Sequence, residues 1–229
     1  MKLGKAILAL VLATTLAGCD GGEPTAPVSA INDGGTGNQS LLVLATVDVD
    51  EVTGGFLTEF QITVSDRDAE PVSGADVSIE GDFATLDVQE TGTAGFYRAE
   101  LSGAASGALR LRVQKDTLYV RGVVLGNIGI HAILEPQAHD TVPANQPLFV
   151  RWVSDREAPY ARLTTRDAVF EDLPDQGEFL VPGDQNPPRS NQRYQLLRYN
   201  EVQISGGLRG SYFRMDVWRT VEPVVVQAP

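Results

Sequence analysis

Period-two alternation, turns marked by Gly and Pro, and the lack of convincing helical periodicity in the mature chain predict an all-β protein built as two tandem β-sandwiches. Leu109-Arg110-Leu111-Arg112-Val113 shows the alternation plainly, with apolar and charged residues trading places as on a strand with one buried face. Such runs recur at short spacing from Leu41 to Trp218, which is the texture of sandwiches. A chain of 229 residues with a leader of about 18 leaves room for one large or two small domains. No repeat of fixed period is present, so a longer array is not indicated.

The first module covers residues 41–133. Leu41–Val47 is its first strand, and Phe56–Val64 follows with Phe60, Ile62 and Val64 on one face. Phe56 falls on that same face after a small adjustment, and Asp66–Glu70 is a polar turn. Pro71–Ile79 then puts Val72, Val77 and Ile79 inward around a tight bend. Gly92 and Gly95 lead into Phe96–Leu101, and Leu109–Val113 and Leu118–Leu125 close the sheet. The string PVSGADVSI, a glycine turn and then GFYRAEL resemble bacterial Ig-like and carboxypeptidase-regulatory-like domains. That resemblance implies an Ig-like sandwich and says little about function, since such modules serve as spacers, adhesive units and accessory domains alike.

Ile128–Glu135 joins the modules, and Pro136 marks a new start within residues 134–229. Pro147–Trp152, Tyr160–Thr165, Gly177–Pro182, Arg193–Tyr199 and Tyr212–Trp218 read as strands, with Gly183–Asn191 a proline-broken loop. LFVRW, GEFLVPG and RYQLLRYN are similar in order and spacing to fibronectin type III sandwiches. There an early tryptophan fills the core and a tyrosine opens a late strand, which implies those parts for Trp152 and Tyr194. The stretch from Thr165 to Gly177 departs from a clean sandwich and leaves the strand order open.

Ahead of both modules, Met1–Gly18 has a basic start at Lys2 and Lys5, an apolar run from Ala6 to Leu16 and small residues before a cleavage point. Leu16-Ala17-Gly18-Cys19 resembles the lipobox of bacterial lipoproteins. The resemblance implies cleavage before Cys19, a diacylglycerol on its sulfur and an acyl chain such as palmitate on its new amino group. It implies an address in the bacterial cell envelope, tethered on the exported side of the inner or outer membrane. Two or more lipid chains hold a protein firmly where one holds it marginally. Other readings of the leader are an uncleaved span, for which its apolar core is short of roughly 20 residues, and an ordinary secretory leader. Cys19 is the only cysteine, so no disulfide forms within the chain and the sandwiches rely on apolar burial. Residues 19–40 are rich in Gly, Pro, Ser, Thr and Asn and read as a disordered tether and flexible linker, reaching roughly 25 Å.

Loss of Lys2 and Lys5 with the leader takes the formal net charge from −12 to −14. An acidic surface of that size disfavours nucleic acid and anionic headgroups as partners. Catalysis is not expected. His131 and His139 are the only histidines, neither stands beside a nucleophile motif, and G-x-S-x-G does not occur. His131, Glu135 and His139 would stack as metal ligands only on a helix, which Pro136 and the strand-like surroundings oppose. Asp48, Asp50 and Glu51, or Asp66, Asp68 and Glu70, lack EF-hand spacing and read as solvated turns, so neither metal nor cofactor is expected.

One surface stands out late in the chain. Arg193, Arg198, Tyr199, Tyr212, Arg214 and Trp218 gather there, and Arg with aromatic residues is favoured at binding surfaces. Alternating strands also produce this texture with the rings inside and the arginines out. The expected function is display: a non-catalytic, lipid-anchored protein presenting two sandwiches to an envelope protein or a polysaccharide. The alternatives are a carbohydrate-binding module, which needs Tyr199, Tyr212 and Trp218 exposed on one face, an accessory subunit of a hydrolytic enzyme, and a hydrolytic enzyme itself, which needs a deep cleft with converging carboxylates.

Overall fold

A computed structural model describes residues 31–227, so the leader, Cys19 and the first part of the tether lie outside the described residues. The first half of the chain forms β1 (Thr36–Gly37), β2 (Leu42–Val52), β3 (Gly55–Ser65), β4 (Asp76–Glu80), β5 (Leu86–Asp87), β6 (Gln89–Glu90), β7 (Phe96–Ser102), β8 (Leu109–Lys115) and β9 (Leu118–Leu125). The second half forms β10 (His131–Glu135), β11 (Thr141–Pro143), β12 (Leu148–Ser154), β13 (Tyr160–Thr164), β14 (Val169–Leu173), β15 (Glu178–Val181), β16 (Tyr194–Gln203), β17 (Tyr212–Val221) and β18 (Val224–Val226). A single 3-10 turn at Gly183–Gln185 is the only helical element among the described residues.

The alternation acts as expected. In β2, Val43, Ala45, Val47 and Val49 are buried while Leu44, Thr46 and Asp48 face outward. In β3, Phe60, Ile62 and Val64 are fully buried. The bend after Pro71 is pinned by the Tyr97 hydroxyl, which donates to Val72 O and accepts from Ala75 N–H, each at 2.8 Å.

Two apolar cores result. The larger unites β2, β3, β4, β7, β8 and β9. The smaller gathers Ile133, Val150, Trp152, Ala161, Leu163, Val181, Tyr194 and Leu196. Trp152 and Tyr194 therefore fill the second core, and the Tyr194 hydroxyl donates to Asn186 Oδ1 at 2.7 Å. The irregular stretch after Thr165 contains β14, an edge strand whose pairing with β13 is broken by a bulge.

The two cores share a sheet. Eight strands run in the order β14-β13-β16-β17-β2-β3-β7-β6, and β17 pairs in parallel with β2. The inward residues of β17, Phe213, Met215 and Val217, thus belong to the first core although they lie in the second half of the chain. A five-stranded sheet, β1-β9-β8-β4-β5, covers the first core, and a three-stranded sheet, β10-β12-β15, covers the second. β11 and β18 form a short parallel pair beside it.

The described end of residues 19–40, expected from sequence to be a flexible tether, is bound. Asp33 exchanges backbone hydrogen bonds with Val124 at 2.9 and 2.8 Å, β1 pairs with β9, and Asn32 donates to Asn200 Oδ1 at 2.8 Å. A Cβ on Gly37 would lie 2.4 Å from Gly206 O, so glycine serves close backbone approach there rather than looseness.

Candidate functional site

The register of β16 and β17 sorts the six residues singled out from sequence. Inward positions of β16 are Tyr194, Leu196, Arg198 and Asn200; Tyr199 and Glu201 face outward. Outward positions of β17 are Tyr212, Arg214, Asp216 and Trp218. The structure brings Tyr199, Arg214 and Trp218 together on one outer face, with Tyr212 on that face nearer the start of β17. Arg193 stands just before β16, half-buried, at the opposite end. Arg198 is on the inner side and fully buried.

Arg198 occupies the seam between the two cores. Tyr194 and Leu196 precede it toward the second core, and Asn200 and Ile204 follow it toward the first. Burying a guanidinium is costly unless it is paired and every N–H is used. Asp175 supplies the charge, taking Nε at 3.0 Å and Nη2 as well, and Ser154 Oγ, Ile128 O and Arg156 O accept the remainder. The same carboxylate accepts from Trp152 Nε1 at 2.7 Å and Ala158 N–H at 2.8 Å. Burial pushes Asp175 up, but these hydrogen bonds, with Arg198 foremost, outweigh it and hold it below the usual carboxylate range. Arg198 is thus a structural pin, joining the strand junction, the β12–β13 loop and the segment before β15.

Nearby, His131 is 2% exposed, and neither ring nitrogen has a hydrogen-bond partner among the described residues. Burial, with Arg198 and Arg219 beside it, pushes its pKa down to about 3, so the ring is neutral. His139 is exposed in a turn and Glu135 is exposed and paired with Arg151, so the three residues spaced four apart do not converge. Asp66 accepts from Asp68 N–H and Glu70 N–H, which explains that acidic run as a turn. Among the described residues no group of three or more His, Cys, Asp or Glu is placed to hold a metal.

On the outer face, the arginines and rings cover one another. Tyr199 stacks on Tyr160 with centroids 5.0 Å apart, and Arg214 lies 4.1 Å over the Tyr199 ring. Arg162 lies 5.5 Å from the centroid of Trp218. Tyr160 and Arg162 were not singled out from sequence; only the β13–β16 pairing sets Tyr160 opposite Tyr199. A sugar-binding platform needs open ring faces, and here the Tyr199 ring packs against both Tyr160 and Arg214. Asp216 faces Asp48 across the parallel β17–β2 pair. Burial, then Asp216 and Asp50, pushes Asp48 up to about 6. Asp216 is raised by burial too, although Arg214 donates to it at 2.6 Å.

A second surface, on the three-stranded sheet, is different in kind. Its outer face carries Val153 (53% exposed), Leu134 (50%), Leu180 (43%) and Phe149 (41%), with Ile130 just before β10. Register makes them neighbours: Ala132 lies opposite Val153, and Phe149 opposite Leu180. Arg151 crosses the middle, bridging Glu135 at 2.7 Å and Glu178 at 3.2 Å, with its guanidinium 4.9 Å over Phe149. Its charge is thereby neutralised within an otherwise apolar face. Alternation in LFVRW predicts one buried side; the other side is apolar as well, and that was the available signal.

No protein-family model and no curated protein matches the chain. Among solved structures it is similar to the fibronectin(III)-like modules of Clostridium thermocellum CbhA, at 16% identity and TM-score 0.31, over 87% of this chain and 95% of that one. It is also similar to the tandem Ig repeats of Dlar, at 8% identity and TM-score 0.28, over 83% of this chain and 100% of that one. The all-β architecture stands on the strand pairing described above.

Proposed function

We propose that this protein is a non-catalytic interaction module of a bacterial cell envelope, anchored by lipid on Cys19 and presenting its sandwiches to an envelope protein. One observation carries the binding role: the exposed apolar outer face of β10, β12 and β15, on a chain otherwise strongly acidic. Contiguous exposed apolar patches mark interaction sites on folded proteins. The lipobox-like LAGC supports the anchor. A saccharide partner has less support, because Arg214 and Tyr160 pack on the Tyr199 ring and Arg162 lies over Trp218.

Crosslinking in intact cells tests the reading, with wild type, Cys19→Ser and Val153→Glu compared. The expected result is a discrete crosslinked protein that weakens when the anchor is lost and disappears when a charge enters the face. Crosslinks unchanged by Val153→Glu would remove this face from the function.

A further inference from the structure

Every sheet of this fold has edges, and most of them are blunted. β1, β5 and β6 are two residues long. β14 is bulged, with Asp172 at φ +52°. The outward carbonyls of β10 are capped: Arg219 Nε donates to His131 O at 2.6 Å, and Gln137 Nε2 donates to Ile133 O at 2.8 Å. Such devices prevent unwanted strand pairing.

β15 lacks them. It ends its sheet, runs without a bulge between Gly177 and Pro182, and pairs with β12 from Arg151–Glu178 to Leu148–Val181. Trp152 N–H donates to Gly177 O at 2.8 Å, which makes that an inward-bonding pair. Bonding alternates along an antiparallel ladder, so Phe179 and Val181 also bond to β12, while Glu178 and Leu180 turn their N–H and C=O groups outward. Among the described residues nothing pairs with these four groups. The Leu180 side chain is itself exposed, beside Phe149 on the apolar face.

We propose that β15 is an acceptor edge, which takes an extended segment of a partner protein as a fourth strand of the β10-β12-β15 sheet. This deepens the interaction reading above and rests on it. Backbone hydrogen bonds at Glu178 and Leu180 would hold the segment, and apolar partner side chains would cover Leu180 and Phe149. Charge selects the partner's chemistry. Glu178 shares Arg151 with Glu135, which leaves one negative charge in excess at the edge; Asp184 is exposed just past Pro182, and Asp172 is exposed on β14, which the Phe170–Phe179 ring contact at 4.8 Å brings alongside. The segment therefore combines apolar residues with lysine or arginine. A second copy is the poorer occupant, since it would set one strongly acidic chain against another.

Leu180→Pro tests the edge selectively. Because the Leu180 N–H points away from β12, proline there removes an outward donor and leaves the ladder whole. The probe is an acetylated octapeptide of valine and threonine carrying two lysines, with a two-glutamate version and a backbone N-methylated version as controls, titrated onto the full-length protein. The lysine peptide is expected to bind at least tenfold more tightly than either control. It is also expected to slow amide exchange at Glu178 and Leu180, and to lose at least tenfold in affinity for Leu180→Pro. Should that variant fail to fold, the N-methylated control and the exchange measurement on wild type decide the matter. Equal binding of the lysine and glutamate peptides, unchanged exchange at Glu178 and Leu180, or a dimer that Leu180→Pro dissolves would overturn the proposal. Cellular crosslinks lost with Val153→Glu but kept with Leu180→Pro would sink the acceptor edge alone and leave the interaction role standing.

Discussion

Asp48 is a carboxylate placed where the fold holds it against its preference. The parallel pairing of β2 with β17 sets it opposite Asp216, and its side chain is half-buried. Its pKa rises from an ordinary 3.8 to about 6. In the unfolded chain the group ionises near the ordinary value, so the folded state binds the proton more tightly. Stability from this group is whole below pH 3.8 and is lost as pH rises through about 6. Taken in full, the shift corresponds to about 3 kcal/mol, and screening on a partly solvated sheet face reduces this to ~1–2 kcal/mol. Asp48→Asn keeps the shape while removing the charge. The variant is expected to be more stable than wild type by that amount at pH 7.5, shifting the urea midpoint up by about 0.5 M, and no more stable at pH 3.5. Urea titrations followed by tryptophan fluorescence at pH 7.5, 6, 5 and 3.5 measure this. A gain that persists undiminished at pH 3.5, or no gain at pH 7.5, would refute the electrostatic account.

His131 has the opposite pH dependence. Its folded pKa of about 3 lies below the ordinary 6.5, so stability is full above pH 6.5 and is lost as pH falls toward 3, by up to about 5 kcal/mol. His131→Leu is expected to flatten this acid limb in the same titrations, and a curve of unchanged slope would count against a buried neutral ring. Asp175→Asn leaves the Arg198 guanidinium buried without its countercharge and is expected to cost about 3–5 kcal/mol in thermal or urea unfolding. A cost under 1 kcal/mol would mean that Arg198 finds water. Tyr97→Phe removes the hydroxyl that ties Val72 O and Ala75 N–H, for an expected loss of about 1–2 kcal/mol with the core otherwise intact. Gly37→Ala drives a methyl into the Gly206 and Tyr119 carbonyls and is expected to release residues 32–40, seen as faster amide exchange at Val124 while β2 and β3 stay protected.

What the amino-acid order settles is local. Leu109-Arg110-Leu111-Arg112-Val113 becomes a strand with its leucines and valine inside because side chains alternate across any extended backbone, whatever it pairs with. Trp152 and Tyr194 both lie in the second core, the parts that the resemblance to fibronectin type III sandwiches implied for them. What depends on distant partners was not legible. Nothing in the residues near Tyr212 says that β17 lies against β2, some 170 positions earlier, so the shared sheet and the Asp48–Asp216 apposition emerge only when the chain closes. Arg198 occupies an alternating position like its neighbours in sequence, but the seam between two cores turns that position into a buried ion pair. Gly34 and Gly37 have the composition of a loose linker, yet they lie against other backbone, because the absence of a side chain permits close approach as readily as freedom. The openness of β15 is of the same kind: Glu178–Val181 is marked as a strand by its own residues, but whether an edge is capped depends on groups as remote as Arg219, and only the folded chain decides which edge is left open.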